Sequence, residues 1–279
     1  MLAAVERAIA TMWDRYREPL SLSDMADAAL LSRFHFSRVF RSITGTSPCR
    51  YLAAVRLYKA KTLLLETAMG VIDIAYEVGY NSLGAFTSRF TRSVGLPPAR
   101  YRLLCQEGTL PMPPIAEPRA DRRTGIVRGL VTVPEAEVPL RLYVAAFDSA
   151  IAEGLPAACA VLDSPGPFRL DAVPHGAWHI KVAAVPLHEV GRRPRIRHPT
   201  FVGASGPHAV RGTGAGIDVG IELHRHGLLD LPILLALPDL DGAGRPGAAP
   251  RTAAPSRLLS APLSTPLSAV SAGPEQRIR

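Results

Sequence analysis

Cysteine is scarce in this chain: three occur in 279 residues, and Cys49, Cys105 and Cys159 stand far apart. That spacing excludes a disulfide framework and a thiolate zinc site, and it fits a reducing compartment. No run of about 18 apolar residues occurs, so no membrane-spanning helix is expected. The opening stretch, MLAAVERAIATMWDRYREPL, mixes acidic and basic side chains and lacks the apolar core of a signal peptide. Missing too are a glycine-rich phosphate loop, a nucleophile elbow and paired carboxylates in a helical frame. The sequence therefore implies no catalytic residues, no cofactor and no enzymatic activity.

What is present is an uneven distribution of charge. The whole chain carries a formal net charge of +8. Residues 1–107 hold 14 Lys and Arg against 9 Asp and Glu, a net of +5; residues 108–242 hold 13 against 14, and residues 243–279 hold 5 against 1. The basic excess lies in the first hundred residues and the tail, where a polyanion is a natural partner.

Residues 1–107 read as helical, with apolar residues at helical spacing. Val5, Ile9, Met12 and Trp13 mark a first helix. Ser21 is an N-cap before Leu22, Met25 and Ala26, and Ser32 caps a helix whose inner face is Phe36, Val39, Phe40 and Ile43. Ser47-Pro48 opens a long helix to about Glu66. Val71–Val78 is a further short helix, Ser82 caps another to Arg92, and Pro97-Pro98 opens the last. This part is expected to fold alone. Residues 108–124, rich in proline and charge, read as a linker. Residues 125–242 hold six or seven short strand-like segments, including 126–133, 140–147, 158–162, 168–173, 178–185 and 217–223, which suggest an antiparallel sandwich. The Ala, Pro, Ser, Gly and Arg of 243–279 predict a disordered tail. The expected fold is therefore multidomain: all-α, then mostly β, then disorder.

The helical part repeats itself. Phe36, Phe40, Gly45, Pro48, Arg50 and Tyr51 recur 50 residues later as Phe86, Phe90, Gly95, Pro98, Arg100 and Tyr101. Each unit, about 20–44 and 70–94, is a short helix, a tight turn, a longer helix and a Gly-x-x-Pro exit. That is the helix-turn-helix plan, in which the second helix enters the major groove of DNA. In the first unit the face opposite the apolar stripe offers Arg33, Phe34, Ser37, Arg38 and Arg41, and arginine can pair bidentately with guanine. The helix between the units has 19 residues, about 28 Å at about 1.5 Å per residue, comparable to the roughly 34 Å of one DNA turn.

Residues 5–103 resemble the DNA-binding domain of the AraC/XylS family. The resemblance rests on Leu22, Ala26, Ser32, Arg38-Val-Phe40, Thr44-Gly45, Ser47-Pro48, Tyr51, Arg56-Leu57, Ala60, Leu63-Leu64, Ile74-Ala75, Val78-Gly79-Tyr80, Phe86, Phe90, Gly95, Pro98 and Tyr101-Arg102. It implies a bacterial, cytoplasmic transcription factor that binds double-stranded DNA and acts by contacting RNA polymerase or by occupying an operator. By resemblance, the base-facing positions are Phe34, Ser37, Arg38 and Arg41 in the first unit, and Leu83, Gly84, Ala85 and Ser88, after the cap Ser82, in the second.

Two positions depart from the family pattern. Leu30 stands where a glycine is common, which predicts a different turn geometry. Ser88 stands where an arginine is common, and the arginine is one place on. Arg89 then either reaches a phosphate or pairs inside the protein, and the first unit is expected to dominate base readout. Residues 125–223 bear a weaker resemblance to transthyretin-like or carboxypeptidase-regulatory-like sandwiches, on Gly129-Leu-Val-Thr, Pro165-Gly-Pro-Phe168 and Val173-Pro174-His175-Gly176-Ala-Trp178. An α+β effector-binding domain is the competing reading, and a small-molecule effector or an unidentified enzymatic activity are the roles open to this part. His224 and His226 would share one face of a strand and form a metal site, but His175, His179, His188, His198 and His208 are scattered, and a surface or turn role suits them all better.

Overall fold

The computed structural model describes residues 1–112, 123–134, 138–186, 198–211 and 216–241. Most of the linker (113–122), the tail and His188 lie outside the described residues. Seven helices come first: α1 (Leu2–Asp14), α2 (Leu22–Ala28), α3 (Arg33–Thr44), α4 (Pro48–Glu66), α5 (Val71–Glu77), α6 (Leu83–Val94) and α7 (Pro98–Gln106). Their starts follow the chemistry of their first residues. The Ser21 hydroxyl accepts the Asp24 N–H while the Asp24 carboxylate accepts the Ser21 N–H, closing a capping box. Ser47 and Ser82 cap α4 and α6 without a return bond, their hydroxyls accepting the N–H groups of Arg50 and Ala85.

The sequence repeat is a repeat of packing. Phe36, Phe40 and Tyr51 form a chain of ring contacts at 5.4 and 5.5 Å; Phe86, Phe90 and Tyr101 repeat it at 5.6 and 5.7 Å. All six rings are fully buried. Both trios belong to one hydrophobic core that α4 crosses lengthwise. This explains why α4 is buried on several sides, with Leu52, Val55, Leu57, Ala60, Leu64 and Leu65 all withdrawn from water.

The turns of the two units are superimposable in their hydrogen bonds. Leu31 N–H reaches Ala26 O and Leu30 N–H reaches Asp27 O; Tyr80 N–H reaches Ala75 O and Gly79 N–H reaches Tyr76 O. Leu30 takes φ +58° and Gly79 takes +80°. The expected difference in turn geometry is therefore absent: Leu30 adopts the left-handed conformation that glycine adopts in the second unit. Its side chain is 80% exposed, so no packing neighbour opposes that conformation as the Arg17 carbonyl would oppose a side chain at position 79. At Gly79 a Cβ would lie 2.8 Å from the Arg17 carbonyl oxygen, so only glycine fits.

Among the described residues eight strands follow: β1 (Thr124–Thr132), β2 (Leu140–Phe147), β3 (Ala158–Leu162), β4 (Gly166–Pro174), β5 (Gly176–Pro186), β6 (Phe201–Val210), β7 (Gly216–Glu222) and β8 (His224–Arg225), then a short α8 (Pro238–Asp241). They form two sheets, β4-β1-β7 and β3-β2-β5-β6-β8. Val127, Phe168, Leu170 and Val219 of the first bury a common core with Leu142, Val144, Ile180 and Val182 of the second. The expectation of wholly antiparallel strands is corrected at one pair: β7 runs parallel to β1, from Ile126 opposite Gly216 to Thr132 opposite Glu222. Alternation of apolar residues marks a strand but is blind to its direction.

Helices and strands pack as one unit. Ile151, from the connection between β2 and β3, and Leu234 and Ala236, from the segment after β8, are buried in the helical core. Lys61 of α4 and Asp241 of α8 form an ion pair of 2.9 Å with both side chains 1% exposed. Lys61 Nζ also donates to the carbonyls of Ile233 and Leu235.

Candidate nucleic-acid interface

Helix α3 buries Phe36 and Phe40 and turns its other face outward. Arg33, Phe34, Arg38 and Arg41 are exposed, Ser37 is half-buried, and Phe34 is 83% exposed. Among the described residues none of these three arginines pairs with a carboxylate. The helix ends at Gly45, whose φ of +73° lets its N–H close on Arg41 O and turns the chain into α4. The outward surface is thus a cationic face with an exposed aromatic ring near the start of the helix.

Helix α6 is built alike but clothed differently. Phe86 and Phe90 are buried, and Ser82, Leu83, Gly84, Ala85 and Ser88 are exposed. A Cβ added to Gly84 would meet nothing within 4 Å, so the fold does not require glycine there. The first turn of α6 is a nearly bare stretch of helical backbone.

Arg89 sits apart from this surface. Its side chain is 25% exposed, and its Nη2 lies 3.4 Å from Glu153 Oε2. The same carboxylate accepts the Ser93 hydroxyl at 2.8 Å and Arg50 Nη2 at 2.9 Å. Of the two roles the sequence left open for Arg89, the structure shows pairing inside the protein. The Gly154 N–H to Ser93 O and Ala236 N–H to Val94 O bonds add to this brace at the end of α6. Sequence reasoning missed Glu153, Arg50 and Ser93 as partners; Glu153 lies 103 residues from Arg50, and no local pattern announces it. It missed Lys61 as well, although a lysine in register with Leu57, Leu64 and Leu65 on a helix is the signal of a buried cation.

Two further arginines hold the helices together. Arg56 donates to the carbonyls of Tyr16 and Glu18, and Arg102 donates to those of Leu64 and Met69. The pair His224 and His226 is split by the structure. His224 Nε2 lies 2.9 Å from Asp230 Oδ1, whereas the His226 ring packs 5.0 Å from that of His198, itself stacked on Tyr58. Among the described residues no cluster of three or more His, Cys, Asp or Glu is arranged to hold a metal. Nor is any described helix long and apolar enough to cross a membrane.

Residues 25–103 match the family model described as a helix-turn-helix domain. The HTH-type transcriptional regulator YdeC of Bacillus subtilis is 33% identical over 87 residues, 31% of this chain and 30% of its own length. The lactose operon transcription activator of Staphylococcus xylosus is 29% identical over 98 residues, 35% of each chain. The right origin-binding protein of Escherichia coli is 36% identical over 85 residues, 30% of this chain and 29% of its own. The chain thus spans about a third of the length of the curated relatives it matches. Among solved structures, the DNA-binding domain of AdpA in complex with a target DNA is 30% identical, covering 37% of this chain and 93% of that one with a TM-score of 0.36. Residues 25–103 are a helix-turn-helix domain, as the resemblance to the AraC/XylS family anticipates.

Proposed function

We propose that the chain is a sequence-specific DNA-binding transcription factor with two helix-turn-helix units in tandem, α3 and α6 entering successive major grooves. One observation carries the reading: the same packed unit occurs at both ends of the rigid α4, and each turns an uncovered helix face outward. Relatives named as transcription regulators support it. On this reading Arg33, Phe34, Ser37, Arg38 and Arg41 contact DNA from the first unit. Ser82, Leu83, Gly84, Ala85 and Ser88 contact it from the second. Arg89 is left out of this proposed set, a choice that its pairing with Glu153 supports.

Arg38 and Arg41 supply donors for base edges and phosphates, whereas the bare start of α6 offers close approach and apolar contact with thymine methyl groups. Residues 1–107 are the reader, 108–124 the linker, 125–242 a β-sandwich that braces the second unit, and 243–279 a basic tail. Transcription is altered by contact with RNA polymerase or by occupancy of an operator. Selection of binding sites from random DNA, with the full chain, tests this. The expected product is a motif with two blocks about one helical turn apart, whose affinity falls by orders of magnitude between about 50 and 200 mM salt. Recovery of no motif, or an affinity indifferent to salt, refutes it.

A further inference from the structure

The outer face of the five-stranded sheet is incompletely filled. On that face the residues opposite one another across β2, β5 and β6 are Ala145, Lys181 and Ala204. The segment from Asp230 to Leu237 passes over them and presents Leu231, Ile233 and Leu235. An apolar chamber of about 100 Å³ remains between segment and sheet. It exists because the side chains on both sides of Lys181 are alanines.

The polar groups of the chamber are not equivalent. His224 and Asp230 satisfy one another, and the second Asp230 oxygen accepts the Gly227 N–H at 2.7 Å. Lys181 has no such partner: among the described residues no carboxylate lies within ion-pair distance of its ammonium. Burial pulls that ammonium down to about 8, and the more distant charge of Asp230 opposes the shift. Lys181 is half-buried; a partly desolvated cation without a counter-ion weakens a fold, and methionine would occupy the same space without that penalty. The arrangement is explained if a ligand supplies the negative charge.

We propose that this chamber binds a small organic monocarboxylate whose apolar body is about the size of a benzene ring, its carboxylate on Lys181 and its body against Ala145, Ala204, Leu231 and Ile233. The size follows from comparison with an engineered apolar cavity of roughly 150 Å³ that takes benzene, given that this chamber is smaller and partly open. A neutral molecule of the same shape leaves the ammonium unpaired, a dicarboxylate brings a second charge toward Asp230, and an amine meets the like charge of Lys181. The site is independent of the DNA-binding reading, because its test contains no DNA.

The test is calorimetric titration and thermal-shift measurement on the full chain at pH 7, with isobutyrate, hexanoate and benzoate set against benzamide, benzyl alcohol, benzylamine and phthalate. At least one monocarboxylate is expected to bind with a Kd below about 1 mM, and benzamide at least about tenfold more weakly than benzoate. Lys181→Met is expected to abolish that preference while leaving the protein folded. Ala204→Leu fills the chamber from the other side and is expected to abolish binding of the whole panel; it decides the question should Lys181→Met fail to fold. The proposal is overturned if no monocarboxylate binds at 10 mM, if benzamide matches benzoate, or if binding survives Ala204→Leu.

Discussion

Replacing Asp241 by leucine isolates the ion pair that ties α4 to the segment after β8. Both partners are 1% exposed and 2.9 Å apart. Among the described residues the substitution leaves the Lys61 ammonium two long carbonyl contacts, at 3.5 and 3.4 Å, and the face of the Tyr101 ring at 5.7 Å. It also strands the Leu237 N–H, which donates to Asp241 Oδ2 at 3.0 Å. Removing one partner of a buried pair costs about 3–5 kcal/mol, so a loss near 4 kcal/mol is expected. Lys61→Met should cost less. Burial already pushes the Asp241 carboxyl above the usual carboxylate range despite Lys61, and without the lysine it can take up a proton and become neutral. The double variant, Lys61→Met with Asp241→Leu, removes both charges and should recover about 2 kcal/mol or more relative to the sum of the singles. Urea unfolding of the four proteins, followed by circular dichroism, measures the cycle. An Asp241→Leu loss below about 1 kcal/mol, or strictly additive singles, would refute the reasoning.

Leu30→Gly should stabilise the first unit by about 0.5–1 kcal/mol, because relief of left-handed strain of about 1–2 kcal/mol outweighs the entropy cost of glycine; Gly79→Ala, which drives a Cβ onto the Arg17 carbonyl oxygen, should destabilise, and equal effects in thermal unfolding would contradict this. Arg38→Ala should weaken specific DNA binding by about 1–3 kcal/mol and relax one base position, while Ser88→Ala does much less. Gly84→Ala should raise helix stability by about 0.5–1 kcal/mol yet weaken DNA binding; unchanged affinity in a gel-shift titration would exclude close backbone approach at α6. The contribution of Lys181 to stability, read as the difference between the wild-type chain and Lys181→Met, should rise with pH from about 8 toward 10, where the folded chain has released that proton and the unfolded chain, titrating near 10.5, has not. Opposing falls should begin near pH 9, since burial holds the Cys105 thiol up at about 12, and near pH 10, since burial does the same to the Tyr51 hydroxyl, while the unfolded chain loses both protons first. Lys181→Met should abolish the rise and keep the falls, as pH-dependent urea midpoints would reveal.

The helical part was largely legible because its signals are local. Ser21, Ser47 and Ser82 declare helix starts within three residues, and the rings of Phe36, Phe40 and Tyr51 are spaced by helical geometry. Strand β6 was not legible. Gly203, Gly206 and Pro207 read as turn punctuation, yet Gly203 lies inside a strand where a Cβ would come within 2.5 Å of Leu223. Glycine there serves the close approach of chain to chain rather than a bend. The exposed face of α3 was placed by periodicity, and the outward positions of α6 by the resemblance to the AraC/XylS family. The brace at Glu153 and the pair at Asp241 join residues far apart in sequence, and nothing local encodes them.

Residues 233–237 alternate in allegiance. Ile233, Leu235 and Leu237 lie with Tyr143 and Phe147 of the sheet, while Leu234 and Ala236 lie in the helical core. One short length of chain is therefore a party wall between two hydrophobic interiors. Cutting the protein at its linker separates the sequence but not the structure, because the helical part would lose a wall that arrives from the far end of the β-rich part. Anyone grafting this helix-turn-helix domain onto another module must carry a substitute for that wall, and a volume change at Leu235 will be felt on both sides of it.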